Sequence, residues 1–336
     1  LPLHTVLEMG TWGGVPQKFT GVSDASILVD ENSGRIWVAG LWMHGVLDKD
    51  GKWIKGLTKD SQNWQHQWRA RGSQSGLSPY ETSQFLLAYS DDDGDSWSDP
   101  INITSSVKRR QWWLAAPAPG RGITLTDGTL VFPSQGRDSV GETFSNIIYS
   151  KDGGKTWSSS NAASTNTTEC AVVQLNDGSL MLNMRDNRNA KDKSNTNGRA
   201  VFITKDMGQT WTEHPSSHGA LIESVCMGSL HKHNYGKGKS VLLFCNPATK
   251  VGRHNMRLRY SLDQGNTWSS GLLLDEGESY GYSCITSIDK NTIGVLWEGS
   301  RSQMAFRRVT LKELFKKDKT ELSSLKPDSH SKTVIK

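Results

Sequence analysis

Apolar residues in this chain come in short bursts, each closed by a polar turn. Phe85-Leu-Leu-Ala-Tyr89, Asn146-Ile-Ile-Tyr149, Ala200-Val-Phe-Ile203 and Arg257-Leu-Arg-Tyr260 read as strands, and each runs into the same pattern, Ser/Thr-x-Asp-x-Gly-x-Ser/Thr-Trp. The Asp carboxylate of such a turn accepts backbone N–H groups, the Gly admits a left-handed conformation, and the Trp covers the turn with apolar area. The four copies place their aspartates at 92, 152, 206 and 263, spacings of 60, 54 and 57 residues. Recurrence at that period marks a repeated supersecondary unit. Between these turns, residues 26–38, 123–132, 171–182 and 284–297 are apolar runs folded about Asp-Gly or similar turns, which predicts further hairpins. One unit thus reads strand, turn, strand, loop, strand, Asp-turn, strand. Four antiparallel strands in each ~40 to 60 residues is the pattern of a propeller blade, so the fold class expected is an all-β propeller.

Composition fits this reading and narrows the partners. The 336 residues include 33 Gly and 13 Trp, which suits many Trp-closed turns, and such a ring runs as one unit through its repeats. No apolar run approaches the ~20 residues a spanning helix needs, so no membrane span is expected. The net charge of +5 is mild. With no basic helix or nucleic-acid motif it argues against DNA or RNA, while suiting an anionic ligand. Cys170, Cys226, Cys245 and Cys284 lack metal-type or redox-type spacing, and buried free thiols are expected. Asn102-Ile-Thr and Asn166-Thr-Thr are glycosylation sequons of a kind that also arises by chance. The first residue is Leu and no signal peptide is present, which points to processing or truncation.

Taken in order, residues 1–22 read as a Gly-rich entry loop, and residues 43–79 as a polar insertion carrying Trp53, Trp64 and Trp68 that would form the rim of a site. Residues 301–310 read as a last strand, so that a propeller would occupy 1–315 and a polar tail 316–336. The innermost strands are expected to begin near Asp24, Arg121, Glu169, Glu223 and Gly281. That makes five, and a ring of six needs one more, N-terminal to them. Strand heads of a propeller converge on one end of the central axis, so polar groups recurring there would meet. Those are Asp24, Glu169, Arg185, Arg253, Tyr282 and Glu298. Singly, an Arg at a strand end is more often a surface ion pair and a Tyr more often packing.

The flanks of these residues carry a resemblance. Thr165-Asn-Thr-Thr-Glu169, Leu182-Asn-Met-Arg-Asp-Asn-Arg188, Gly252-Arg-His254 and Leu274-Asp-Glu-Gly-Glu-Ser-Tyr-Gly-Tyr-Ser-Cys284, together with the Asp-turns, resemble the bacterial exo-sialidases, in particular those of gut and oral anaerobes. The resemblance covers nearly all of residues 10–315 and implies a six-bladed β-propeller whose first strands are missing from this chain. It implies that Tyr282 is the nucleophile of a retaining exo-α-sialidase and Glu169 the base that takes its proton. Arg185 and Arg253 would be two of three arginines gripping the substrate carboxylate, Asp24 a contact to a ring hydroxyl, and Glu298 a residue orienting the remaining arginine. A planar guanidinium matches a carboxylate bidentately, and several together are tolerable around an anion. A Tyr nucleophile is a recognised exception among glycosidases, and its phenol, titrating near ~10, needs an adjacent base at neutral pH. Tyr280 is the rival for Tyr282, and the Gly-Tyr-Ser pattern favours the latter. Gln84, Arg121 and Trp42 are candidate rim or subsite residues, with a purely structural role the favoured reading of each.

The resemblance further implies no metal or cofactor, sialylated glycoproteins, glycolipids or oligosaccharides as partners, and a secreted, periplasmic or cell-surface location. The family's Arg-Ile-Pro motif and the acid/base Asp that follows it have no counterpart here, so a preceding segment or chain is expected to supply both. Two further readings compete with the enzyme: a non-catalytic sialic-acid-binding propeller and a protein-interaction propeller.

Overall fold

In the computed structural model the described residues are 4–7, 20–44, 73–79, 81–236, 238–301 and 303–316. The predicted rim insertion and the tail from 317 onward lie almost wholly outside them. The first sheet is built from β1 (Thr20–Val29), β2 (Ile36–His44), β3 (Gln84–Ser90) and β4 (Ile101–Asn102). A one-turn helix, α1 (Thr104–Val107), leads to the second sheet: β5 (Leu114–Pro117), then, after the short β6 (Gly120–Arg121) that joins the first sheet, β7 (Ile123–Thr124), β8 (Leu130–Arg137), β9 (Thr143–Ser150), β10 (Ser158–Ser159) and β11 (Ser164–Thr165). Here β5 and β7 both pair with β8 as two halves of an interrupted inner strand, and β6 between them pairs in parallel with β1. The third sheet holds β12 (Thr167–Gln174), β13 (Leu180–Asp186), β14 (Ala200–Thr204) and β15 (Thr212–Glu213). The fourth holds β16 (Ser229–Gly236), β17 (Lys239–Pro247), β18 (Met256–Ser261) and β19 (Leu272–Asp275). The last holds β20 (Ser283–Asp289), β21 (Thr292–Trp297) and β22 (Ala305–Thr310), followed by α2 (Leu311–Leu314).

Among the described residues there are therefore five blades, each an antiparallel meander. Four interblade cores join them, because the middle sheets are apolar on both faces. Leu28, Trp37 and Phe85 of the first sheet pack on Leu130, Phe132 and Ile148 of the second. Val131 and Ile147 of the second pack on Val172, Leu182 and Ala200 of the third. Val173, Met181 and Val201 meet Leu230, Leu242 and Phe244 of the fourth, and Leu243 and Leu258 meet Ile285, Ile293 and Val309 of the last. Each core excludes water from two sheets at once, which is the main term holding the ring together. The outward face of the last sheet instead exposes Ile288, Leu296 and Phe306, and β1 exposes Ile27 and Val29.

The Asp-turns lock the outer hairpins as their pattern demands. Ser96, Thr156, Thr210 and Thr267 each donate both backbone N–H and hydroxyl to the Asp four residues earlier. Trp97, Trp157 and Trp268 donate from Nε1 to the carbonyl of the turn Gly, whereas Trp211 reaches the carbonyl of Asn161 in the preceding blade.

Two expected strand starts need correction. The second inner strand begins at Leu114, and Arg121 lies in its middle, since the chain bends at Gly120 (φ +127°). The fourth begins at Ser229, because Glu223 belongs to the buried loop before it. The described chain ends on a short helix: Thr310 caps α2 through Glu313 N, and Leu311, Leu314 and Phe315 are buried in the last core.

Candidate active site

All the inner strands run the same way along the axis, and two of them carry a bulge at the head. The register slips between Ser23 and Ser26 in β1 and between Thr167 and Cys170 in β12. A bulge turns a side chain out of the sheet alternation, and here it delivers Asp24 and Glu169 into one cavity of about 610 Å³. Asp24 holds φ +55°, a left-handed conformation that a short polar side chain tolerates.

Tyr282, Glu169 and Arg185 line that cavity together. The Tyr282 hydroxyl donates to Glu169 Oε1 in a short hydrogen bond, and Arg185 Nη1 donates to Glu169 Oε2 at 2.6 Å. Burial raises the Tyr282 phenol well above its ordinary value, and the Glu169 carboxylate raises it further. The Tyr282 hydroxyl thus keeps its proton in the resting site. Burial would lower Arg185, but Glu169 outweighs it and holds the guanidinium charged. Burial, and secondarily the charge of Glu169, raises Asp24 to about 6, opposed by hydrogen bonds from Ser23 Oγ at 2.6 Å and Gln135 Nε2 at 3.1 Å.

The remaining candidates stand one step back. Arg253 lies with its Cζ 5.9 Å from the Tyr282 ring centroid, and its guanidinium donates to Tyr280 O at 2.7 Å and Val225 O at 3.4 Å. Glu298 accepts from the Tyr282 backbone N–H at 2.9 Å, so it holds the tyrosine's own peptide. Gly281 separates the two tyrosines: at φ +87°, with a Cβ there falling 2.7 Å from Pro247 and 2.9 Å from Cys226, no other residue fits. That turn sends Tyr282 inward and leaves Tyr280 73% exposed.

Three expected subsite residues are elsewhere. Trp42 and Gln84 are fully buried inside the first blade, where Gln84 donates to Thr82 O and accepts from Asn102 Nδ2, so neither reaches a ligand. Arg121 lines a different cavity, at the other end of the inner strands. All four cysteines are free, Cys284 half-buried and the others buried.

An ion pair that sequence reasoning missed supports the site from below. Arg199 Nη1 donates to Glu223 Oε2 at 2.6 Å, with both side chains wholly buried. Glu223 Oε1 also accepts from the backbone N–H of Asp186, next to Arg185, and Arg199 bonds Cys226 O, next to Val225. The pair therefore fixes the backbone beneath Arg185 and beneath the carbonyl that holds Arg253. Val225 sits at φ +58°, rare for a β-branched residue, and marks strain stored at this loop. The only signal in the sequence was an Arg and a Glu near strand ends, a pairing with no fixed spacing.

Comparison with known proteins agrees with this geometry. The sequence profile of the BNR repeat-like domain matches residues 53–295. The chain is 48% identical over 316 residues to a sialidase of Bacteroides fragilis, covering 92% of this chain and 53% of that protein. It is 28% identical over 311 residues to a sialidase of Paraclostridium sordellii, covering 85% of this chain and 68% of that one. Among solved structures, the Hadza microbial sialidase Hz136 superposes with a TM-score of 0.83 at 44% identity, over 94% of this chain and 57% of that one. The chain thus spans about half the length of the first of these relatives and of that solved structure. A match over residues 53–295 covers well over half of the sequence, and the chain belongs to the BNR repeat-like domain family.

Proposed function

We propose that this protein is a retaining exo-α-sialidase that releases terminal sialic acid from glycoproteins, glycolipids or oligosaccharides. The observation that carries the reading is the contact of the Tyr282 hydroxyl with Glu169 inside a cavity that also holds Arg185. The anomeric carbon of sialic acid bears a carboxylate, which a neutral phenol approaches with less repulsion than a second carboxylate would. Because the Tyr282 phenol is raised, no phenolate waits in the resting site. The Tyr282 oxygen forms its bond to the anomeric carbon as its proton passes to Glu169, and the aglycone oxygen departs with its bonding electrons. Water then attacks the anomeric carbon of the glycosyl intermediate and gives its proton to the group that protonated the aglycone, while Tyr282 leaves and takes its own proton back from Glu169. Arg185 shares its donors between Glu169 and the substrate carboxylate, with Arg253 as a second guanidinium beside the tyrosine ring. Asp24 keeps lone pairs on both oxygens for a ring hydroxyl.

A third arginine and the acid that protonates the aglycone belong, in this reading, to a sixth blade contributed by a preceding segment. Two features support that blade: the last sheet has three strands among the described residues, and its outward face and that of β1 expose Phe306, Leu296, Ile27 and Val29. The test is turnover of a fluorogenic α-sialoside by the full-length protein. Tyr282→Phe should lower kcat by about 10³-fold or more, since a nucleophile acts as one unit with its base. A Tyr282→Phe enzyme with wild-type kcat refutes the mechanism, and absence of turnover with retained binding of a dehydrated sialic acid analogue leaves a binding protein.

A further inference from the structure

We propose that the cavity at the far end of the inner strands is a second anion-binding site, where the Arg121 guanidinium takes a phosphate-sized oxyanion. Its position follows from the strands. β12 carries Glu169 at its head and Val173 and Gln174 at its tail, and β1 runs from Asp24 toward Glu31, so the two cavities open at opposite ends of the axis. The second has a volume of about 210 Å³, room for several waters or one four-oxygen anion.

The chemistry follows from a chain of hydrogen bonds that contains no negative charge. Arg121 Nη1 lies 3.1 Å from His231 Nδ1 and 3.4 Å from Ile285 O. A guanidinium only donates, so His231 Nδ1 accepts and its proton sits on Nε2, facing Ser287 Oγ at 2.8 Å. Ser287 then donates to His233 Nδ1 at 2.8 Å, and His233 Nε2 donates to Lys290 O at 3.1 Å. Each imidazole N–H and the Ser287 hydroxyl finds one acceptor, and the series ends on a carbonyl. Both imidazoles are neutral in this arrangement, and His231 is held far from protonation by burial and by Arg121 itself.

Arg121 therefore keeps an uncompensated charge: among the described residues it makes no ion pair. Burial lowers its guanidinium from the usual value, and the nearby Cys284 and Glu31 offset only part of that loss. Lys232 brings a second cation to the same walls and Glu31 the one carboxylate, leaving the lining at net +1. A cation that has already lost much of its hydration binds an anion with little further desolvation cost. This inference stands apart from the sialidase reading, because it uses none of the residues around Tyr282.

Thermal unfolding of the purified full-length protein in inorganic phosphate, against sodium chloride of equal ionic strength, tests it. The expected result is a saturable rise in Tm of roughly 2–4 °C at phosphate about tenfold above its Kd. The rise should persist in Arg185→Gln and weaken at least tenfold in apparent affinity in Arg121→Gln. No rise beyond chloride, an Arg121→Gln response equal to wild type, or a response lost in Arg185→Gln overturns the proposal. Should Arg121→Gln fail to fold, Lys232→Gln decides: a severalfold weaker phosphate response supports the site, and an unchanged one overturns it.

Discussion

At the level of single residues, the decisive contact joins two side chains 113 positions apart, Tyr282 and Glu169. Glu169→Gln keeps a hydrogen-bond acceptor but removes the base, and should lower kcat by about 10²- to 10⁴-fold in sialoside turnover. Asp24 supplies a pH test. Its carboxyl is raised to about 6, so it is ionised above that pH and neutral below. If its ionised form accepts a substrate hydroxyl, KM should climb as pH falls through about 6, and Asp24→Asn should flatten that dependence at a uniformly higher KM. Glu169, Arg185 and Tyr282 were legible because family-like flanks surround each one. The bond from the Tyr282 amide to Glu298 was not legible, since only the folded backbone brings that N–H in front of its carboxylate. Trp42 and Gln84 stayed open to both readings because a polar or aromatic residue on a strand looks the same in sequence whether its blade face is open or covered; their burial settles the structural one.

At the level of elements, the turns and the buried ion pair make separable predictions. Gly153 and Gly154 are adjacent in one Asp-turn and both have positive φ, but a Cβ on Gly153 meets nothing within 4 Å, whereas one on Gly154 would lie 2.2 Å from Trp37. Gly153→Ala should cost only about 1 kcal/mol from its backbone conformation, and Gly154→Ala a further 1–3 kcal/mol from overpacking, measured by denaturant unfolding. Equal costs would mean that Trp37 yields freely. Arg199→Met leaves the buried Glu223 carboxyl without its ion-pair partner, and should destabilise by about 3–5 kcal/mol. The hairpins were readable because period-two alternation and Asp-Gly turns are local. The start of the fourth inner strand was not, since Glu223 and Ser229 differ in burial partners that no local pattern encodes.

At the level of the whole molecule, repetition announced the ring, while the number of blades depends on how far the chain curves before its ends meet, which no single repeat states. The ring also sets how stability depends on pH. His231 is lowered from 6.5 to about 3, so between those values the unfolded chain binds a proton that the folded protein does not. Its contribution is complete above pH 6.5 and is lost as pH falls toward 3, with a slope of up to about 1.4 kcal/mol per pH unit. Asp24, raised from 3.8, acts in the opposite sense over part of this range, favouring the fold below 3.8 and losing that effect as pH rises through about 6. His231→Gln should therefore flatten the acid limb of a Tm-versus-pH curve, and an unchanged limb would place the acid sensitivity elsewhere. The Asp-turns respond much later. Internal hydrogen bonds hold Asp92, Asp152 and Asp206 near 2, so they begin to release only below their ordinary 3.8. Acid should therefore loosen this wheel from its hub outward: amide exchange near pH 4 would quicken first in the strands lining the axle, while the rivets along the rim still hold.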